Sequence, residues 1–250
     1  MMAGLARWIG LIAVAMVITV SSPARALVAD LSEHLIAITT GFTGDEVVLF
    51  GAVEEPGDVV VVVRGPTETI MVRRKERFLG IWVNRASARF ERAPSYYAVA
   101  ASRPLEEIAS PPILDRHDIG LENLDLRPVD WESMDDDEIV SFRDSLIRRK
   151  QFAGTYGIEI EPVSFLGSRL FRTRLAFPDN VPTGQYLVSV FLLSDGNVTA
   201  AQTTPLSVRK VGVGAEIFLF AHGSPALYGI LAILVAITAG WLASLPFRRP

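Results

Sequence analysis

Cysteine is absent from the 250-residue chain, and histidine occurs only three times. The protein therefore has no disulfide, no thiolate metal ligand and no thiol nucleophile. The three histidines, His34, His117 and His222, stand far apart, and no two have the one-turn helical spacing of a zinc site. We therefore expect a protein that folds without a metal ion or other cofactor.

Recognisable catalytic motifs are also missing. The chain contains neither a G-x-S-x-G nucleophile elbow nor a phosphate-binding glycine loop. No residue is predicted to be catalytic, although a catalytic triad can assemble from residues that are distant in sequence. A hydrolase with a dispersed site is therefore kept as an alternative to a non-catalytic protein.

Charged residues are missing from the run Trp8 to Val20 near the N-terminus. Arg7 precedes this run, and the small-residue sequence S-S-P-A-R-A follows it. This pattern is typical of a secretory signal peptide, which we place at residues 1–26. The run is shorter than the roughly 20 residues that span a bilayer, so cleavage before Leu27 is favoured over an uncleaved anchor.

A second stretch without Asp, Glu, Lys or Arg runs from Ile217 to Phe247 and is long enough to cross a membrane. It predicts an interfacial approach at 211–224, a transmembrane helix at 225–247 and a tail at 248–250. Because arginines at 248 and 249 favour the cytoplasmic side, the tail is predicted to be cytoplasmic. The pattern indicates a single-pass protein of a bacterial inner membrane, with the lipid bilayer as a partner and its body in the periplasm.

The charge balance of the predicted body is negative. The chain holds 24 basic and 28 acidic residues, and four of the arginines lie in the predicted signal peptide and tail. A negatively charged body argues against nucleic acid as a partner.

Short valine-rich stretches separated by turn residues dominate residues 27–102 and predict a β-sandwich domain. Val59 to Val63 is apolar on both faces and is predicted to be a central strand, whereas Ile70 to Arg77 becomes polar and is predicted at an edge. A second β segment covers 154–210, with S-D-G-N at 194–197 as a hairpin turn. It forms a separate unit or completes the first sandwich.

Residues 103–153 are predicted to be a helical connector. Ser102 is expected to cap a short helix that the prolines at 111 and 112 end, and Ser133 to cap a longer one. Apolar residues at 139, 142 and 146 give this longer helix one face that should pack against a sheet. Acidic residues between 130 and 138 are interpreted as helix N-terminal charges rather than a calcium site. The predicted fold class is mainly β: an immunoglobulin-like β-sandwich body with a helical insertion, plus a C-terminal transmembrane helix.

Several short motifs carry a resemblance to a known family. They are GFTG at 41–44, LFGAV at 49–53, GIWVN at 80–84, PSYYAVAASRPLEEI at 94–108 and LYG at 227–229. Together they resemble the alphaproteobacterial putative transmembrane protein family, and the likeness covers nearly the whole chain after residue 26. The resemblance implies a signal peptide, a periplasmic body and a single C-terminal anchor. It implies topology and not mechanism, because the family has no assigned activity.

The stretch MVRRKERFLGIWVN, residues 71–84, concentrates basic charge before an apolar run. We predict a candidate docking or anion-binding site at Arg73, Arg74, Lys75, Arg77 and Trp82. Three interpretations stay open: a charged strand that prevents edge-to-edge aggregation, a docking face for a membrane-protein partner, or a patch for an anionic solute or lipid headgroup. A binding module should show a pocket lined by aromatics such as Trp82, Tyr96 and Tyr97. The favoured hypothesis is a non-catalytic accessory or interaction subunit.

Overall fold

The computed structural model describes residues 27–78 and 81–244. For residues 76–78, 81–85, 213, 215, 216 and 219, the description is limited to the backbone. The predicted signal peptide at 1–26 and the tail at 248–250 lie outside the described residues.

The described residues contain strands in two groups, one on each side of a helical insertion. The strands are β1 (Leu27–Leu31), β2 (Leu35–Ile38), β3 (Asp45–Val53), β4 (Asp58–Arg64), β5 (Thr67–Phe78), β6 (Ile81–Pro94), β7 (Tyr97–Ala101), β8 (Glu161–Pro162), β9 (Ser164–Leu166), β10 (Leu170–Phe177), β11 (Gly184–Ser194) and β12 (Asn197–Lys210).

These strands form two sheets and a separate hairpin. The four-stranded sheet has the order β1-β3-β10-β9, the six-stranded sheet has the order β2-β12-β11-β4-β7-β8, and β5 pairs with β6 alone. The mainly β class predicted from the sequence is confirmed, while the immunoglobulin-like detail stays a prediction. Strands from both β segments share the sheets, since β10 pairs with β3 and β11 pairs with β4.

Helices occupy the insertion and the C-terminal end. They are α1 (Leu105–Ile108), α2 (Pro111–Arg116), a 3-10 turn (Trp131–Ser133), α3 (Asp136–Phe152), α4 (Val213–Gly223) and α5 (Pro225–Ser244).

The six-stranded sheet is buried on both faces, and its strand β4 shows why. Val59, Val61 and Val63 point into a core shared with the four-stranded sheet, where Leu49 and Phe171 are also buried. The alternate side chains, Val60 and Val62, point into a second core under the insertion helices and the β5–β6 hairpin. Alternation along a strand places one apolar set on each face, so the predicted central position of this strand is confirmed.

The predicted turn at 194–197 is confirmed as the two-residue loop between β11 and β12. Asp195 has φ of 50° and Gly196 has φ of 76°. Both values lie in the left-handed region that this hairpin turn requires, and Asp-Gly is a favoured pair there.

Two local predictions for the connector are wrong. The Ser102 hydroxyl oxygen accepts from the Val59 amide, and the hydroxyl donates to Asp58 Oδ1 at 2.9 Å, so it does not cap α1. The short helix does end before the prolines, at Ile108, and Pro111 also begins α2, because the first helical position needs no N–H donor. The Ser133 hydroxyl donates to the Asp130 carbonyl, and α3 has Asp135 at its N-cap.

Two strand predictions also need correction. At the start of the predicted second β segment, only Glu161 of residues 157–161 lies in a strand, the two-residue β8, and Ile158 is left 75% exposed. The stretch from Ile70 to Arg77 does not lie at the edge of a sandwich sheet but belongs to the separate hairpin. Its polar residues are accommodated because that hairpin has only one buried side, which the next section describes.

Candidate functional site

The basic stretch predicted as a site lies on the β5–β6 hairpin. The backbone register pairs Arg74 with Ala86 and Arg77 with Trp82, and it shifts at a bulge between Arg74 and Lys75. The side chains of Arg77 and Trp82 lie outside the described residues, so the structure places only their backbone. The hairpin is thus described at side-chain level up to Lys75 on its first strand.

Strand alternation separates the basic residues that the sequence analysis grouped together. Ile70 and Val72 are partly buried in the second core, and Arg74 follows them on the same side of β5. Met71, Arg73 and Lys75 are exposed on the opposite side. The described cationic groups therefore do not converge on one point.

Arg74 is used to hold the hairpin against α3. Its Nη2 lies 3.2 Å from Glu138 Oε1, and its guanidinium lies 5.3 Å from the centre of the Phe142 ring. The side chains of Arg74 and Glu138 are 43% and 31% exposed, so the pair adds little to stability by itself. Its effect is geometric, because it fixes where β5 lies relative to the helix. We call it the distal ion pair.

A second ion pair holds the base of the hairpin. Lys150, near the end of α3, pairs with Glu68 and donates to the Ser95 carbonyl at 3.3 Å. Its ammonium also lies 5.7 Å from the centre of the Tyr156 ring, and its side chain is only 14% exposed. Because a nearly buried ammonium without a partner is costly, this contact constrains the structure more strongly than the distal ion pair. We call it the basal ion pair.

The two ion pairs are matched in spacing. From Glu68 to Arg74 a strand rises roughly 20 Å at about 3.3 Å per residue. From Glu138 to Lys150 a helix rises roughly 18 Å at 1.5 Å per residue. The first strand of the hairpin therefore runs antiparallel to α3, with one ion pair at each end of a shared apolar contact.

The sequence analysis missed Glu68, Glu138 and Lys150 as partners of the hairpin. A signal was present, because Glu138 and Lys150 stand one helical turn beyond each end of the apolar pair Phe142 and Leu146. The sequence of the helix alone does not indicate which strand Glu138 and Lys150 contact.

The opposite side of the hairpin is free of such contacts with α3. Met71 is 47% exposed, and the register places Arg73 opposite Ser87 and Met71 opposite Arg89. Lys75 continues this side along β5. We call these residues the outer hairpin face; its members are Met71, Arg73, Lys75, Ser87 and Arg89.

The connector borders the outer hairpin face along β6. The Val129 amide donates to the Arg89 carbonyl at 2.7 Å, which adds one bond to the free edge of that strand. Next to it, the Arg127 guanidinium lies 6.0 Å from the centre of the Trp131 ring, and Trp131 is 44% exposed. A shallow groove of about 340 Å³ runs between the connector and β6. The surface here combines aromatic groups with paired charges, since Arg127 lies 3.3 Å from Asp125 and Arg89 lies 3.5 Å from Glu91.

Tyr96 and Tyr97 lie in different environments, and Tyr97 alone of the two lines a described cavity, together with Gly120 and Arg143. Tyr96 packs in the core between the sheets, where its ring lies 5.3 Å from Phe177. Tyr97 packs in the second core, donates to the Asp118 carbonyl and accepts from the Gly120 amide, both at 2.8 Å. Adjacent residues on a strand point to opposite faces. Burial raises the pKa of both hydroxyls, so both stay neutral.

One carboxyl group has a shifted pKa for a structural reason. The Arg103 guanidinium donates to Asp58 and lowers the pKa of that carboxyl, while the Ser102 hydroxyl donates to it as well. This contact joins the start of β4 to the end of β7. Among the described residues, no group of three or more metal-ligating side chains comes together.

The C-terminal part of the chain ends in an uncharged helix with no buried residue. This helix, α5, has 20 residues, and it is the one candidate membrane span among the described residues. A β-rich body followed by such a helix defines a membrane-associated protein with one candidate C-terminal transmembrane helix among the described residues.

Comparison with protein families assigns the chain more narrowly. Residues 26–249 match the family described as Putative transmembrane protein (Alph_Pro_TM), and the chain belongs to that family. This confirms the resemblance predicted from the short motifs. No match is found among curated protein sequences.

Proposed function

We propose that this protein is a non-catalytic accessory subunit of a membrane system, such as a transport system. In this proposal the body lies in the periplasm and α5 spans the inner membrane once. The outer hairpin face docks onto a membrane-protein partner.

The proposed topology rests on the two ends of the chain. The N-terminal pattern at 1–26 is typical of an export signal, and α5 is long enough to span the hydrocarbon core. The arginines at 248 and 249 follow α5 closely and favour a cytoplasmic C-terminus.

The docking role rests on how the hairpin divides its charges. The inner side carries Arg74, which pairs with Glu138, whereas Arg73 and Lys75 lie on the outer hairpin face with exposed Met71. A small anion would need converging cationic groups, and alternation along β5 removes Arg74 from the side that carries Arg73 and Lys75. An extended protein surface can instead contact the whole outer face. Two ion pairs hold the hairpin to α3, so docking would require little reordering.

The topology predicts opposite results at two fusion points. A reporter that is active only outside the cytoplasm should be active when fused after Lys210 and inactive when fused after Pro250. The reason is that α5 should stop transfer, with the following arginines retained inside. Reporter activity in cells checks this, and activity at the second point alone would reverse the proposed orientation.

The outer hairpin face can be tested by neutralising it without touching either ion pair. In the full chain, Arg73→Gln, Lys75→Gln and Arg89→Gln together should change the free energy of unfolding by less than about 1 kcal/mol, because exposed charges contribute little. The same triple variant should lose the membrane proteins that cross-link to the parent in intact cells. Denaturant titration and identification of the cross-linked products measure the two effects.

Two control variants are compared with the triple variant. Arg148→Gln with Arg149→Gln removes charge from exposed positions of α3 and should keep every cross-linked product. Arg74→Gln should weaken cross-linking less than the triple variant, since this residue faces α3. A triple variant with unchanged stability and the full set of cross-linked products would show that the basic residues only protect an edge.

A further inference from the structure

Apolar side chains form a continuous row across the outer face of the four-stranded sheet. The register places Val28 beside Ala52, Ala52 beside Leu170, and Leu170 beside Leu166. Phe50 stands in the next row of β3. The exposed fractions are 62% for Val28, 49% for Phe50, 54% for Leu170 and 50% for Leu166. Together they leave on the order of 400 Å² of apolar surface, as large as patches that usually have a function on monomeric proteins.

The two sheets differ in what covers their outer faces. The hairpin and the insertion helices cover the centre of the outer face of the six-stranded sheet, around β4 and β7. No element among the described residues covers the outer face of the four-stranded sheet, where a shallow apolar groove of about 340 Å³ lies along the row. An exposed apolar row that reaches all four strands is more than the scattered apolar residues expected on any surface.

The row that contains Phe50 carries opposite charges on its two sides. The register places Asp30 on one side of Phe50 and Arg172 on the other. The Asp30 side chain is 55% exposed and contacts His34 at 2.9 Å. Within the described part of the chain, the Arg172 guanidinium has no hydrogen-bond or ion-pair partner. The face therefore presents an acidic side, an apolar centre and a basic side.

This order of charges makes the face complementary to itself. Rotation by 180° about an axis along β3 places β1 of one copy over β10 of the other. Asp30 then faces Arg172, Phe50 faces Phe50, and Val28 faces Leu170. Such a contact is isologous, as in the two-fold dimers that are the commonest homo-oligomers.

The same rotation is compatible with insertion of both copies into one bilayer. A two-fold axis along β3 leaves the strand direction unchanged in both copies. Two copies anchored in one bilayer need an axis along the membrane normal, and this axis meets that condition when β3 stands upright on the membrane. Anchoring also raises the effective concentration of the second copy, so a contact smaller than the usual roughly 800 Å² per partner can be populated.

We propose that the outer face of the four-stranded sheet binds a second copy of this chain, with Phe50 at the two-fold axis and Asp30 paired with Arg172 of that copy. This interaction is separate from docking through the outer hairpin face. The dimer would present two hairpins to the partners of a membrane system.

Single-cysteine cross-linking tests the proposal directly, because the parent chain has no cysteine. Phe50→Cys in the full chain should form a disulfide-linked dimer when membranes are treated with a mild oxidant, since a residue on the axis meets its own copy. Leu187→Cys is the matched control, because Leu187 is 51% exposed on a strand of the other sheet. It should form at least about five-fold less dimer.

A charge-reversal cycle in the Phe50→Cys background gives the second readout. Asp30→Arg alone, or Arg172→Asp alone, should reduce the cross-linked fraction on the order of five-fold, because each places like charges opposite each other. The two changes together should restore it, which a folding defect would not do.

Three results would overturn the proposal. The first is a cross-linked fraction for Phe50→Cys no greater than for Leu187→Cys. The second is cross-linking of Phe50→Cys to a different protein, and the third is a double charge reversal that fails to restore the dimer. Protection of Phe50→Cys from a maleimide in a chain that stays monomeric would show that another segment of the same chain covers this face.

Discussion

Replacing Leu146 with alanine is expected to lower the free energy of unfolding by about 3–5 kcal/mol. Leu146 is fully buried in the second core, where α3 packs on the six-stranded sheet and the hairpin. Truncating a buried leucine removes its transfer free energy and leaves a cavity that packed neighbours fill only in part. A denaturant titration of the full chain in detergent measures the loss.

The matched control for this change is Val140→Ala on the same helix. Val140 is 51% exposed, so its truncation should change the unfolding free energy by less than about 0.5 kcal/mol. Leu146→Ala should also speed amide hydrogen exchange in β5, because α3 holds that strand through both ion pairs. Equal effects of the two substitutions would mean that α3 does not anchor the hairpin.

Two arginines in the middle of α5 are expected to release the protein from the membrane. Ile233→Arg and Ile237→Arg lie one turn apart near the centre of this uncharged helix. Each costs about 3–4 kcal/mol on insertion scales when the loss of the isoleucine is included, so the pair opposes spanning by roughly 6–8 kcal/mol. The measurement is the fraction that stays with membranes after alkaline carbonate extraction.

The control variant carries two arginines at the end of the helix instead of at its centre. Ala243→Arg with Ser244→Arg adds the same charge at the end of α5, where long side chains can reach the interface. This variant should remain in the membrane fraction. If the central pair also remains there, α5 is not the anchor of the chain.

Patterns that depend on the periodicity of one strand were predictable from the sequence. Val59 to Val63 is apolar at every position, and this alone indicated a strand covered on both sides. The Asp195 and Gly196 turn was predictable for a similar reason, because few residue pairs adopt two successive left-handed conformations. In both cases the physical cause lies within a few neighbouring residues.

Predictions were less successful for residues that can take either of two local roles. Ser102 and Ser133 have the right chemistry for helix caps, but the Ser102 hydroxyl oxygen accepts from the Val59 amide of another strand, and the Ser133 hydroxyl donates to the Asp130 carbonyl. Pro111 follows one helix and begins the next, and local sequence did not indicate the second role.

The sequence predicted a charged strand at the candidate site but not how its side chains divide between the two sides of that strand. The basic stretch indicated a charged strand, and strand alternation then assigned Arg74 to one side and Arg73 to the other. The sides became distinguishable only when Glu138 on α3 was brought to Arg74, 64 residues apart in sequence. Likewise, the row from Val28 to Leu166 spans four strands, so its members are not adjacent in any sequence window.

The pairing of β12 has a mechanical consequence for a tethered protein. This strand ends at Lys210, just before α4 and the anchor, so tension between a bound partner and the bilayer would pull along its axis. It pairs with β11 from Asn197 to Val208, with one register shift, and with β2 from Ser207 to Lys210. Ladder hydrogen bonds lie across the strands, so such a pull strains many of them in shear at once instead of opening them one by one. The body is therefore joined to α4 and α5 through a strand whose hydrogen bonds would be loaded in shear.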